Sequence, residues 1–546
     1  MNDRSCLAIL LLIQLLMLVI IQPAGNFPLN DDWAYAHSAQ WLLTEGRVRL
    51  SDWISPNLLP QTLLGGGVSW LFGFSFEHLR YLTLIVSILT SFSAFYWYRS
   101  VKLLPAQSLV ASLVLLAVPC WSVLANSYMS DMYGFIFAII GATFFYRALE
   151  HYSPKWIFVA AVIVCIGVLQ RQVVLVIPFA FMVGWYWQQR RWRVNVVFVG
   201  IMPLILAMLT QYVYQQYLAI GSGITSAQEH YNSRFLLFFF KLLRGEEGMT
   251  QHVASNFLVM TGYLGLFMAP WFVWWGIPSG SRNRLVACLL AVALLGTFTL
   301  IVGWYPPYFE NNTIDAAGIG PFTLYDALPR ELAALERQPG FIWPLAAVVA
   351  SIGIVAIVIL AAASVKRVVQ FRAADGQIVF LLTVIVSYAT PFLITDFFDR
   401  YLLFLVPFLI PLWSKLWPQD RTKRLFGILG YGALSWIATV LIISSMATHD
   451  YFAWNQARWE AIRFAEDLGA TPETLDGGFE YNGFYRFEES KDERTPGKSF
   501  WWVLDDEYIV TFSQVPGYRL IKRFPVNRYS GRTPPQIFLL HRSTTD

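Results

Sequence analysis

The chain is expected to fold as an all-α polytopic membrane protein with about 13 transmembrane helices and a small C-terminal extracytoplasmic α/β domain. Three observations lead there. Of its 546 residues, 56% are hydrophobic and only 14% charged, where soluble chains carry about 25% charge. The apolar residues come in runs of about 20, the length that crosses a bilayer. That pattern stops near residue 448, after which shorter apolar runs alternate with turns.

The elements follow in order. Apolar runs at 5–24, 79–98, 105–124, 132–149, 155–170, 173–188, 194–218, 252–276, 285–303, 341–364, 376–394, 401–416 and 424–447 are read as spans. The two around Arg171 are short. The first run follows Arg4 and ends at Pro23-Ala24-Gly25, a pattern that a cleaved signal peptide also shows. One helix (Tyr451 to Leu468) and then several strands are expected in the tail. The division is therefore 1–447 for the membrane part and 448–546 for the tail.

An aromatic content of 16%, with 22 Trp, suits many membrane–water interfaces. Cys6, Cys120, Cys165 and Cys288 lie in apolar runs without CxxC spacing and read as small core residues. The net charge of +4 is small, and no zinc-finger or basic–aromatic pattern argues for nucleic acid.

Orientation follows from the cations of the short loops. Arg99 and Lys102, Arg147 and Lys155, Arg190 to Arg193, Arg282 and Arg284, Lys366 to Arg372, and Lys415 to Arg424 mark the cytoplasmic set. Residues 26–78, 125–131, 219–251, 304–340, 395–400 and the tail then face outward.

The outward set holds the chemistry-bearing residues. NFPLNDDWAYAHSAQWLLTEG, residues 26 to 46, places Asp31 and Asp32 just after the first apolar run. A structural reading is available: Asn30 as helix N-cap, two acids in the first turn and Gly46 as the stop. Trp33, His37 and Trp41 would then lay an aromatic face on the membrane interface. Three further turns weaken that reading. NSYMSDMYGF presents Asp131, LQRQVV presents Arg171, and TDFFDRYLLFLVP presents Asp396, Asp399 and Arg400. Ionisable groups at membrane depth are functional candidates by default. Gathered on one side, they predict one polar cavity at the outer leaflet.

The acidic pair followed by an aromatic-rich helix resembles the first outer loop of the glycosyltransferase C superfamily. SDMYGFIF is similar to the family's second acidic loop, and FDRYLLFLVPFLIP to its late Arg-Tyr-Leu-Leu…Pro run. The family 39 protein O-mannosyltransferases and the lipid A aminoarabinose transferases are the relatives this layout resembles. The resemblance implies an inverting transfer of a sugar from a polyprenyl-phosphate carrier to an acceptor hydroxyl at the outer face. Residues 26–78 would be the catalytic loop, and the acceptor a lipid, a glycan or a protein. It assigns Asp31 as general base. It gives Asp131 the orientation of the acceptor, or a divalent cation held with Asp32. The leaving phosphate needs cations, and Arg presents a fork of donors to phosphate oxygens; Arg171 and Arg400 are the candidates. Tyr35, His37 and Arg80 complete the substrate-binding set. A bacterial inner membrane, with the site and C-terminus on the periplasmic side, is the implied location.

The chain departs from the aminoarabinose transferases in two places. Ala34 stands where they carry Arg, and SPNLLPQTLLGGG replaces their Glu-Lys-Pro motif. Arg80, Arg171 or Arg400 then has to supply the phosphate grip. A helix N-terminus lowers the pKa of Asp31 and weakens it as a base, whereas burial raises it.

Residues 304–340 form a long loop rich in Pro and Gly, read as a lid with Tyr305, Tyr308, Tyr325 and Asp326 near sugar hydroxyls, or as a passive loop. FLLFFFKLLRGEE, from 235, reads as an interfacial helix. A rival class is a lipid-linked sugar flippase or another transporter, which should place charges or broken helices at the bilayer midplane. Here the acids sit at span ends, and no inverted repeat is visible. A lipid-binding family member without activity is a third option, kept open by Ala34.

Overall fold

The computed structural model describes residues 1–189, 194–221, 223–276, 290, 293, 296, 313–315, 318–328, 342–369, 376–417, 427–491 and 502–543. The chain is mostly helical. In the first half come α1 (Asp3–Ile21), α2 (Asp32–Glu45), α3 (Leu59–Phe72), α4 (Phe76–Ser100), α5 (Pro105–Leu116) and α6 (Pro119–Ala125). They are followed by α7 (Asp131–His151), α8 (Pro154–Gln170), α9 (Val176–Gln189), α10 (Val194–Gly221), α11 (Ser226–Leu243) and α12 (Met249–Trp275). After a short hairpin, β1 (Ile314–Asp315) with β2 (Gly318–Ile319), come α13 (Ile342–Val369), α14 (Gly376–Ile394), α15 (Val406–Leu416), α16 (Ile428–Asp467) and α17 (Phe479–Ser490).

Eight of these helices are long and apolar enough to cross a membrane, nine if the bent pair α5 and α6 is one span. The protein is thus an integral, multi-pass membrane protein, but these criteria do not reach the expected 13. The run at 285–303 lies outside the described residues, apart from isolated helical positions, as do Cys288, Tyr305 and Tyr308. Of the remaining expected spans, α8 has 17 residues, α9 14 and α15 only 11. The reason is local. A 3-10 turn (Gln172–Leu175) follows Arg171, and a second (Asp399–Leu405) carries Arg400. Irregular backbone at membrane depth is tolerated where it is buried or lines a cavity, and both turns border the cavity described below.

Helix crossings use small residues where backbones meet. A Cβ on Gly265 of α12 would stand 2.7 Å from Gly353 Cα of α13, and one on Gly353 2.2 Å from Gly265 Cα. Only glycine allows that approach, a usual device between membrane helices.

The C-terminal region differs from expectation in two ways. The last span and the expected helix from Tyr451 are one helix, α16, of 40 residues, about 60 Å long at 1.5 Å per residue. No break marks position 448. Beyond Leu468, where only strands were expected, residues 479–490 form a further helix, α17. Phe479, Gly483 and Phe487 recur every fourth residue and pack around the Trp33 indole; ring centroids of Phe479 and Phe487 lie 6.0 and 5.4 Å from it. Gly483 leaves room for that ring, since a Cβ there would come 2.5 Å from Trp33 Cε2.

Strands β3 (Leu475–Asp476), β4 (Tyr508–Thr511), β5 (Tyr518–Pro525) and β6 (Gln536–Arg542) form one sheet in the order β3-β4-β6-β5. β3 and β4 are parallel and the other pairs antiparallel, with an irregularity in β5 between Leu520 and Lys522. The bundle and this sheet share one apolar core, running from Leu10 through Trp33, Trp97 and Trp454 to Leu539.

α3 lies within the first outward loop and forms although Gly65, Gly66 and Gly67 lower helix propensity. Tertiary packing overrides it. A Cβ on Gly65 would stand 2.1 Å from the Tyr128 hydroxyl, and one on Gly66 2.6 Å from Leu42 Cδ2.

Candidate active site

The loop before α2 separates the two adjacent acids. Asn30 adopts a left-handed conformation, φ 54°, and α2 begins at Asp32 with Asp31 in the cap position but making no capping bond. Asn30 is therefore not the N-cap. Gly46 does end the helix, at φ 67°. Asp32 is 1% exposed; its Oδ1 accepts from Leu29 N at 2.5 Å and its Oδ2 from Tyr128 N at 3.2 Å. That carboxylate latches the first loop to the segment before α7. Expected in a catalytic role beside Asp31, it is instead occupied by backbone.

Asp31 points elsewhere. Its Oδ1 accepts from Trp53 Nε1 at 2.9 Å, and its Oδ2 lies 3.5 Å from Arg400 Nη2. Burial holds its pKa above the ordinary value, opposed by the Arg400 charge and the Trp53 hydrogen bond and assisted by the negative charges of Glu480 and Asp131. Burial thus outweighs the Arg400 charge and the Trp53 hydrogen bond, which makes Asp31 a stronger base than an exposed carboxylate.

Arg400 and Arg171 meet at one cavity of about 30 Å³. Asp131, Gly134 and Phe135 of α7, Tyr388 of α14, Arg171, Tyr401 and Arg400 are among its lining residues. Arg171 Nη1 donates to Asp131 Oδ1 at 2.6 Å and to Ser130 Oγ at 3.3 Å. The approach of Arg171 requires Gly134, where a Cβ would stand 2.8 Å from the Arg171 Cδ. Arg400 stacks over Phe398 at 4.5 Å and Tyr401 at 5.5 Å. Its buried Nε makes no hydrogen bond among the described residues. Asp399 fixes its backbone: the carboxylate accepts from Arg400 N at 2.7 Å, Thr313 N at 3.1 Å and Ile314 N at 2.7 Å.

The other expected residues divide. Tyr35 is 8% exposed and lies within the fields of Asp31, Arg400, Asp131 and Arg171, so it belongs to the same cluster. His37 does not line the cavity. Its ring stacks between Trp41, at 5.2 Å, and Phe484, at 4.5 Å, and Nε2 contacts the Phe484 carbonyl at 3.0 Å. The aromatic face of α2 thus packs on α17 rather than on lipid. Arg80 is also taken up by structure. Its Nη1 donates to the carbonyls of Pro23 and Gly25 at 3.1 and 2.9 Å, and its Nη2 to that of Phe27 at 2.8 Å. Asp396 pairs with Arg234 of α11. Tyr325 is 3% exposed and packs on Phe512, with ring centroids 4.7 Å apart.

A cation between Asp32 and Asp131 does not suit this donor set. Backbone amides occupy Asp32, Arg171 neutralises Asp131, and no group of three or more His, Cys, Asp or Glu that could hold a metal ion occurs among the described residues.

Three residues that sequence reading missed complete the geometry: Trp53, Tyr401 and Glu480. Tyr401 adjoins a charged motif and was within reach; Trp53 and Glu480 lie 22 and 449 residues from Asp31, with no local signal.

Against known proteins, residues 63–214 match the sequence model of the dolichyl-phosphate-mannose-protein mannosyltransferase family. The match agrees with the family named from the motifs. No curated protein is significantly similar in sequence. Among solved structures, the chain is similar to ArnT from Cupriavidus metallidurans bound to undecaprenyl phosphate, at 12% identity and a TM-score of 0.39, over 99% of this chain and 98% of that one. The apo state of the same protein gives 12% identity and a TM-score of 0.39, over 97% of each chain.

Proposed function

We propose, from the match of residues 63–214 to the mannosyltransferase family, that this chain is an inverting glycosyltransferase. It moves a monosaccharide from a polyprenyl-phosphate carrier to an acceptor hydroxyl of a lipid, glycan or protein at the outer face of a bacterial inner membrane. The observation that carries the reading is Arg400. It lines the cavity with Arg171 and also faces Asp31, so a candidate base and two candidate phosphate ligands fall in one site.

In this reading Asp31 removes the acceptor proton as the acceptor oxygen attacks the anomeric carbon. The bond from that carbon to the phosphate oxygen breaks, and the polyprenyl phosphate leaves with both electrons of the bond. Arg400 and Arg171 stabilise the charge that develops on the leaving oxygen. In the same reading Tyr35 touches the sugar or the acceptor. Residues 1–447 form the transferase part, and 448–546 an outer cap over the first loop.

Native mass spectrometry of the detergent-purified protein, wild type beside Asp31→Asn, tests this. Intact lipid-linked sugar on the variant and bare polyprenyl phosphate on the wild type is the expected pair. The same intact lipid-linked sugar on both would favour a carrier or an inactive binder and overturn turnover through Asp31.

A further inference from the structure

Besides Arg400, two groups fix Asp31 and the backbone before it, and helix α17 supports both. Glu480 is completely buried, and its Oε1 accepts from Asn30 N, the amide preceding Asp31, at 3.1 Å. Its Oε2 accepts from Arg458 Nη1 of α16 at 2.6 Å and from Thr323 Oγ1 at 2.8 Å. Arg458, also completely buried, donates through Nε to Gly477 O at 2.8 Å. The left-handed Asn30 is therefore fastened to a buried ion pair between α16 and α17. Trp53, which donates to Asp31, is boxed by Phe479 and Phe487 of α17, with ring centroids at 5.5 and 5.7 Å, and by Trp502 at 5.6 Å.

We infer that Glu480, with Arg458, and Trp53 are positioning residues by which the C-terminal segment sets the place and ionisation of Asp31. The inference rests on reading Asp31 as the base. A buried ion pair is weak evidence for stability, because desolvation offsets its attraction, and is better explained by the arrangement it enforces. The arrangement enforced here is the backbone turn at Asn30. The two supports also act on Asp31 in opposite senses: the Glu480 charge disfavours its ionised form, and the Trp53 hydrogen bond favours it. Arg400 and Asp131 are the other charged groups facing it.

The test compares Glu480→Gln and Trp53→Phe in the full-length protein. The readouts are the pH–rate profile of sugar transfer and hydrogen exchange over residues 26–35. In Glu480→Gln the lost negative charge and the remaining Arg458 both favour the carboxylate, so the acid limb moves to lower pH. In Trp53→Phe the carboxylate loses a donor, so the limb moves to higher pH. Each variant should also lose about tenfold or more in plateau rate, as small misplacements of a reacting group do. Opposite shifts support the inference, because a general folding defect cannot produce them. Shifts in the same direction, or none, overturn it. If Glu480→Gln does not fold, the direction found in Trp53→Phe decides. If the wild type transfers no sugar, the proposed function fails by itself; faster exchange over 26–35 in Glu480→Gln still supports the clamp, and unchanged exchange overturns it.

Discussion

At the scale of single residues, the adjacent acids differ because their partners differ. Asp32 spends both oxygens on backbone amides, whereas Asp31 faces an indole and a guanidinium. Arg400 matters for its geometry as well as its charge. Arg400→Lys keeps the charge and loses the fork; turnover should fall about 100-fold, the scale of losing a donor to a developing charge. Retention of polyprenyl phosphate in native mass spectra should weaken with it. His37 carries a separate pH signature. Burial between Trp41 and Phe484 pushes its pKa down to about 4 from 6.5. The unfolded chain therefore binds the extra proton more readily, so stability is complete above about pH 6.5 and is lost as pH falls towards 4, by up to about 3 kcal/mol. Thermal unfolding in detergent should show that decline in the wild type and a flatter one in His37→Gln. An equal decline in both would assign it to other groups.

At the scale of elements, glycines and helix ends decide where the site can exist. Gly134 on α7 admits the Arg171 side chain. Gly134→Ala would push that flexible side chain rather than the backbone, so the fold should persist while transfer drops about tenfold through misplacement. Gly265 and Gly353 meet backbone to backbone, where nothing can yield. Gly265→Leu should separate α12 from α13 and cost about 1–3 kcal/mol, read as a lower melting temperature in detergent. These close contacts also explain the elements that periodicity could not reveal. α3 contains three successive glycines and still forms, because Tyr128 and Leu42 occupy the space beside it. α17 carries no separate signal in the sequence, because the ring its aromatics pack on, Trp33, belongs to α2. The short spans were visible as apolar runs, but their termination at Arg171 and Arg400 follows from the cavity those arginines line.

At the scale of the whole molecule, the C-terminal segment is continuous with the membrane part. α16 runs through the boundary without a break, and α17 covers Trp33 and Trp53. Removing residues 470–546 should expose that aromatic surface and free the loop that bears Asp31. Transfer should be lost while the helical content of the bundle persists in circular dichroism. A truncated protein with full activity would show that the cap is dispensable.

The sequence by itself determined that the chain is a multi-pass membrane protein, because apolar runs of span length need no tertiary context to be recognised. It also carried the family resemblance and the candidates Asp31, Asp131, Arg171 and Arg400, because an ionisable group at the end of an apolar run is conspicuous. Only the tertiary structure decided which of the candidates meet. Arg400 faces Asp31 across 369 residues of chain, and Arg80 and His37 are withdrawn to structural tasks. The physical reason is that burial, hydrogen-bond partners and field are properties of the packed neighbourhood. Two acids adjacent in sequence acquire different chemistry once one is latched to backbone and the other is held by groups from three distant segments.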